Sequence, residues 1–162
     1  MQGIPLNERK RLGALLDDRP QTEGMAMIPQ FSQAETDNFV APPAQIPEAL
    51  GVLMFNMERG VNLPEIQEFL RDCPDIQPFD VILANELDDG CARSGNKNTA
   101  RELAQAFGLN YAWGLEFIEL VNDENAKGFH GNAVFSRWPI RRAGVIRLPE
   151  QYNWYFDRQK PI

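Results

Sequence analysis

The amino-acid sequence predicts an α/β protein built mainly on one mixed β-sheet with flanking helices. Residues 52–56 and 81–86 form two short apolar runs, rich in β-branched and aromatic residues and bounded by turn signals, which is typical of buried strands. Between them, residues 63–70 place four apolar side chains on one helical face, with Pro64 in the first turn. A strand, a helix and a second strand in this order normally make the two strands parallel.

The remaining elements follow from the same patterns. Hydrophobic periodicity and turn signals predict helices at 6–16 and 98–107, with Gly108 closing the second, and strands at 111–121, 132–137 and 141–148. A length of 162 residues favours one domain. Residues 1–48 are predicted to be an irregular lead-in with a short helix, and residues 49–162 the regular domain. The basic cluster at 8–11 is interpreted as a solvated helix face, with phosphate binding as the alternative.

Asn56 and Glu86 end the first two predicted strands. Because the carboxyl ends of parallel strands meet at one edge of a sheet, where α/β proteins bind ligands, we expect the two side chains to share a pocket. A buried carboxylate or carboxamide needs a hydrogen bond, a metal ion or a substrate as its partner. Two simpler interpretations remain open: Glu86 ends its strand in solvent, and Asn56 bonds to its own following turn.

A third segment extends the pattern. Residues 128–140 approach a strand through glycines and close it with Ser-Arg-Trp-Pro-Ile. Together with residues 54–60 and 84–88, this segment resembles the endonuclease/exonuclease/phosphatase family, whose first motif is a strand that ends in Asn and whose second is a strand that ends in Gln-Glu. Asn85 stands here where the family has Gln. The resemblance covers residues 51 to about 148 and implies the N-terminal half of a four-layer α/β/β/α sandwich.

The resemblance implies a hydrolase that cleaves phosphodiester or phosphomonoester bonds with the help of Mg²⁺ or Mn²⁺. Glu86 and Asn56 match the family's catalytic and metal-binding positions in its first two motifs. Mg²⁺ prefers oxygen ligands and is often held by one or two carboxylates together with substrate phosphates. The expected substrate is a phosphate ester: a nucleic acid, a phospholipid or a small phosphorylated molecule.

Three further residues are candidates for substrate binding. Asn132 matches a family position that faces the cleft, and His130 lies in the preceding Gly-flanked loop, where it contacts substrate or nothing. Arg93 follows Glu86 in a long loop and is interpreted as a phosphate ligand or, alternatively, as a surface arginine. Asp88 and Asp89 are interpreted as a solvated turn, with a second oxygen ligand for the metal as the alternative.

The family's later motifs are not found after Ile140: the sequence has no Asp-x-Asn triplet and no Asp-His pair there. Because the Asp-His pair activates the attacking water in the family, we expect the chain to be a truncated and by itself inactive portion of the domain. The alternative is a non-catalytic binding or interaction module derived from the same fold. A reading frame that continues past Ile162 into these motifs would favour the first interpretation, and a stop codon the second.

A front half of such a sandwich would leave one sheet face uncovered. We therefore expect an exposed apolar surface and self-association through it. The residues expected near this surface or in the core are Val134, Ile146, Tyr152, Trp154 and Phe156.

Composition and short motifs narrow the possible substrates, cofactors and cellular location of the protein. The net charge of −7 is unusual for a non-specific nucleic-acid binder and favours small phosphorylated or lipid-like substrates. Cys73 and Cys91 are interpreted as two thiols, with a disulfide left open. No signal peptide and no membrane span are visible, which favours the cytoplasm. A dinucleotide-binding domain is disfavoured because no G-x-G-x-x-G follows the first strand.

Overall fold

The structure, a computed structural model, describes residues 1–16, 19 and 21–148. The described chain has nine helices and strands of regular structure: α1 (Leu6–Leu16), α2 (Gln21–Met27), β1 (Ala34–Asp37), β2 (Val52–Arg59), α3 (Leu63–Asp72), β3 (Val81–Asp89), α4 (Thr99–Phe107), β4 (Asn110–Ile118) and β5 (Phe129–Ser136). Short 3₁₀ turns lie at Pro29–Ser32, Pro74–Ile76 and Ala92–Ser94. The predicted mixed α/β class is confirmed.

All five strands form one mixed sheet in the order β1-β4-β5-β3-β2. β2 and β3 are neighbours and parallel, as the strand–helix–strand pattern predicts, and the other pairs are antiparallel. The polar end of β3 extends further than expected: its pairing with β5 continues to Asp89. The residues predicted to form a turn after Glu86 are therefore part of the sheet.

Helices α3 and α4 lie on one face of the sheet and enclose the main core. Leu70 of α3, Leu103 of α4, Ile82 of β3 and Phe135 of β5 are fully buried there. Local sequence explains where α4 begins and ends, because the Asn98 side chain accepts a hydrogen bond from the Arg101 N–H and Gly108 closes the helix with a left-handed φ of 59°. Both cysteines are free thiols.

The N-terminal segment differs from the predicted irregular lead-in. α1 is present over its predicted range, but β1 joins the sheet beside β4 and Phe31 enters the core. Arg9, expected on a solvated helix face, is buried; its guanidinium donates to the carbonyl oxygen of Asn125 at 2.7 Å. The prediction for Arg9 is wrong because backbone carbonyl oxygens of residues 119–125, distant in sequence, accept hydrogen bonds from its two terminal nitrogens, whereas Lys10 remains exposed.

The predicted strand at 141–148 is wrong: this segment has no regular structure. The Arg147 guanidinium donates to the carbonyl oxygens of Phe31 and Leu115 and packs against the Phe31 ring. These contacts hold the segment across the sheet face opposite α3 and α4, where Val145 meets Gly114. A groove of about 1060 Å³ lies between this segment and the sheet.

The sheet face opposite α3 and α4 carries exposed apolar side chains. Met54 is 72% exposed, Val52 58%, Val134 42% and Leu83 38%, far more than core strand residues show. Val134 and Ile146 are exposed, as predicted for an uncovered face. The predicted aromatic residues of this surface, Tyr152, Trp154 and Phe156, lie outside the described residues.

Candidate active site

Asn56 and Glu86 are brought together by the parallel pairing of β2 and β3. Asn56 lies opposite Asn85 in the register, and its Nδ2 donates to Glu86 Oε1 at 2.9 Å. Asn56 is exposed and Glu86 is half-buried. The predicted contact of the two side chains near the carboxyl ends of adjacent parallel strands is confirmed. Neither residue lines the groove under residues 141–148, and the shared pocket stays a prediction.

The orientation of the Asn56 amide is fixed from both ends. Its Oδ1 accepts a hydrogen bond from the Glu58 backbone N–H at 2.8 Å, so its Nδ2 must face the carboxylate. Turning the amide over would place oxygen against oxygen and N–H against N–H. The simpler interpretation of Asn56, a hydrogen bond to its own following turn, is confirmed, and the same side chain also positions Glu86. The Asn56 Oδ1 keeps a second lone pair beside the Glu58 hydrogen bond, and its predicted role as a metal ligand stays a prediction.

Glu86 lies at an irregularity in β3. The register with β5 shifts between Ala84 and Leu87, and Glu86 has a left-handed φ of 58°. A non-glycine residue in this conformation costs on the order of 1–3 kcal/mol and persists where surrounding contacts impose it. One such contact is the hydrogen bond from the Glu86 N–H to Asn132 Oδ1, at 3.2 Å.

Asn132 and Glu116 complete the polar row across the sheet. Asn132 of β5 is exposed; its Oδ1 also faces Asn85 Nδ2 at 3.4 Å, and its Nδ2 donates to Glu116 Oε2 at 3.1 Å. The contact of Asn132 with the Glu86 backbone brings this predicted residue to the site. Glu116 was not predicted. It lies in β4 where the register shifts between Leu115 and Phe117, and its only signal in the sequence is a carboxylate inside a predicted strand.

His130, predicted to contact substrate or nothing, is buried instead. Its Nδ1 lies 2.7 Å from Asp88 Oδ1, and the Phe117 ring stacks on it with centroids 4.2 Å apart. Strand alternation puts His130 and Asn132 on the same sheet face, but Asp88 and Phe117 cover only the former. His130 is therefore part of the packed interior, whereas Asn132 remains accessible.

Arg93 is held by two carboxylates. Its Nε and Nη2 donate to the two Asp88 oxygens at 2.7 and 2.9 Å, and its Nη1 pairs with Glu119. Neither prediction for Arg93, phosphate ligand or free surface arginine, describes these contacts. Ser94 Oγ also donates to Asp88, so that the loop after β3 closes over this carboxylate.

The predicted solvated turn at Asp88 and Asp89 is also wrong, because both residues are buried. Burial raises the pKa of Asp88, but the hydrogen bonds from His130 and Arg93 outweigh it and hold that pKa below the ordinary value of 3.8. Asp89 pairs with Lys127 at 2.7 Å. Both carboxylates are used by structural partners.

The residues around Glu86 fit a cation that is shared with a substrate better than a closed metal site. In the described part of the chain, no group of three or more His, Cys, Asp or Glu side chains is arranged to hold a metal ion. Glu86 Oε2 accepts no hydrogen bond from any described residue, so one carboxylate oxygen is available. Mg²⁺ commonly keeps several waters and binds through one or two carboxylates plus substrate phosphate, which matches this open oxygen set.

Comparison of the chain with family models, curated proteins and solved structures finds no match. The resemblance to the endonuclease/exonuclease/phosphatase family therefore depends on the three motifs and stays a prediction. None of the helices in the described ranges is both long enough and apolar enough to cross a membrane.

Proposed function

We propose that this chain carries the cation-binding half of a divalent-metal-dependent phosphoesterase site, with Glu86 as the ligand of Mg²⁺ or Mn²⁺. The observation that carries the proposal is the hydrogen bond from the Asn56 amide to the Glu86 carboxylate at 2.9 Å. This bond orients a carboxylate at the carboxyl ends of two parallel strands, the usual ligand-binding edge of such a sheet, and leaves its second oxygen available.

Each residue of the proposed site would have a distinct role. Glu86 supplies the anionic oxygen, while Asn56 and the Asn132 side chain fix the position of the Glu86 carboxylate and backbone. Such partners of a ligating group typically tune metal affinity 10–100-fold. A bound divalent cation would supply Lewis-acid polarisation of a phosphoryl oxygen. The exposure of Asn132 and Asn56 leaves room for a phosphate ester beside Glu86.

The finer fold assignment belongs to the same proposal. In the resembled family, two sheets face each other between outer helices. The exposed side chains of Met54 and Val134, on the sheet face opposite α3 and α4, support its assignment as the first half of that four-layer sandwich. The expected substrate is a phosphate ester, and the net charge of −7 favours a small or lipid-like ester over long nucleic acid.

Removing the Glu86 charge tests the metal site. We expect Glu86→Gln to weaken Mn²⁺ binding by more than about 100-fold and Asn56→Ala to weaken it about 10–100-fold, because the first removes the ligand and the second only its orientation. Free Mn²⁺ measured by electron paramagnetic resonance reports both. Glu68→Gln, which neutralises an exposed carboxylate on α3, serves as the control and should bind like the unmodified chain. Equal Mn²⁺ binding by the unmodified chain and Glu86→Gln would contradict the proposal.

We expect no measurable turnover of bis(p-nitrophenyl) phosphate by this chain with Mg²⁺ or Mn²⁺. The sequence has one histidine, His130, which is buried against Asp88, so no described imidazole is free to activate water. A positioned acid or base typically contributes about 10²–10⁴-fold to the rate. Metal-dependent hydrolysis that disappears in Glu86→Gln would mean that the chain contains a complete site and would contradict this expectation.

A second candidate function is binding without catalysis, by an interaction module derived from the same fold. The exposed apolar face of Val52, Met54, Leu83 and Val134 favours it, since such surfaces often mark protein–protein contacts, including self-association. The Mn²⁺ titration separates the two candidates: Glu86-dependent metal binding favours the phosphoesterase site, and no metal binding favours the interaction module.

A further inference from the structure

The groove under residues 141–148 has an apolar floor. Ala112 and Val134 are register partners on β4 and β5, and both line the groove; Gly114, the partner of Asn132, lines it as well. Because register partners point to the same face of a sheet, these positions all lie on the face opposite α3 and α4. The groove is therefore built on the sheet face that carries the polar row.

Residues 141–148 form the opposite wall of the groove. Val145, Ile146 and Leu148 line it from this side. None of residues 141–148 makes a backbone–backbone hydrogen bond with another described residue, so the Arg147 guanidinium supplies the main polar attachment of this wall. The wall stays apart from the sheet, and the volume of about 1060 Å³ is at the upper end of the range for pockets that bury a small ligand.

Asn132 joins the groove to the candidate metal site. It lines the groove, and its Oδ1 lies 3.2 Å from the Glu86 backbone nitrogen. Asn85 Nδ2 faces the same oxygen at 3.4 Å, and Asn56, the register partner of Asn85, reaches the Glu86 carboxylate. Glu116, at the other end of the polar row, also lines the groove. The row that holds Glu86 thus continues into the groove, and apolar lining begins directly beside it.

We propose that the groove binds the alkyl chain of the phosphate ester whose cation is held by Glu86. The inference rests on the proposed function and deepens it, because it names an ester with an unbranched alkyl chain as the substrate class. The phosphate would stay at the polar row while the chain covers Val134 and Ala112, against which a sugar or base would leave polar groups unpaired. A groove with two walls suits a narrow chain, whereas the open surface at Val52 and Met54 suits a protein partner.

Titration with n-alkyl phosphates from ethyl to octyl, in excess Mg²⁺ and below micelle-forming concentrations, tests the groove. We expect the affinity, followed by amide NMR shifts, to increase with every added CH₂, by up to about fourfold for a fully buried one. The shifted amides should include those of Val134 and Val145. Val134→Asn should make the affinity nearly independent of chain length, because the chain would have to cover a carboxamide.

Val52→Asn is the matched control. It changes an exposed valine on the same sheet face that does not line the groove, and it should keep the dependence on chain length. Both variants should bind Mn²⁺ like the unmodified chain, since neither residue contacts Glu86.

Equal affinities for ethyl and octyl phosphate, with Mn²⁺ still bound through Glu86, would overturn the role of the groove and leave the proposed function standing. Loss of the chain-length dependence in both valine variants would mean unspecific apolar binding and would also overturn it. Dimerisation that Val134→Asn abolishes, together with equal affinities, would assign the groove to a second copy of the chain. Failure to bind Mn²⁺ through Glu86 would overturn the proposed function and, with it, the inference.

Discussion

Asp88→Ala should destabilise the protein by about 3–5 kcal/mol, the usual cost of removing one partner from a buried charge network. The Asp88 side chain is fully buried and accepts hydrogen bonds from Arg93 and Ser94 and contacts His130. Without it, Arg93 keeps only Glu119 as an anionic partner, and the buried His130 Nδ1 loses its contact. Urea unfolding at neutral pH measures the change in the free energy of unfolding.

Asp75→Ala is the control: it removes an exposed carboxylate and should change stability by less than about 0.5 kcal/mol.

The stabilisation by Asp88 should also depend on pH in a defined direction. Because the folded pKa of Asp88 lies below its ordinary value of 3.8, its stabilisation is fully present above pH 3.8. It decreases as the pH falls from there and is lost below the folded pKa. A difference between the unmodified chain and Asp88→Ala that grows on acidification would contradict this assignment.

Gly131→Ala should cost about 3 kcal/mol or more, the upper end of the range for overpacking. A Cβ at Gly131 would lie 2.0 Å from the Gly114 carbonyl oxygen and 2.8 Å from the Trp113 ring. The oxygen belongs to the adjacent strand β4, so relief requires β4 and β5 to separate. Because Asn132 is the next residue, the same change should displace its contact with Glu86, visible as shifted amide NMR signals at both positions.

Gly144→Ala provides a matched control, since a Cβ there would meet no atom within 4 Å. Thermal unfolding should find it as stable as the unmodified chain. If Gly131→Ala melted like Gly144→Ala, the close approach of β4 and β5 at this point would be disproved.

Local sequence was sufficient to predict the centre of the fold. The range of α1 is predicted to the residue, and those of α3, α4, β2 and β3 to within a few residues, because their periodicity, caps and turn signals act over a few neighbouring positions. The meeting of Asn56 and Glu86 also followed from the sequence. A strand–helix–strand connection constrains two strands to be parallel, and that brings their polar ends to the same edge.

Residues whose surroundings come from distant segments could not be predicted in this way. Glu116 reaches the site only through a register shift between β4 and β5. The segment 141–148 has residues suited to a strand, yet the bonds from Arg147 to Phe31 and Leu115 hold it across the sheet.

The sequence by itself determined the α/β class, the parallel pair β2–β3 and the position of Asn56 beside Glu86, because these depend on local period and chain connectivity. Only the tertiary structure decided which charged side chains remain available. Sequence patterns predicted no protein partner for Arg9, Arg93 or His130, yet in the structure each contacts a residue 26 to 116 positions away, namely Asn125, Glu119 and Asp88. Burial makes an unpaired charge costly, so the long-range partner, rather than the residue type, determines its role.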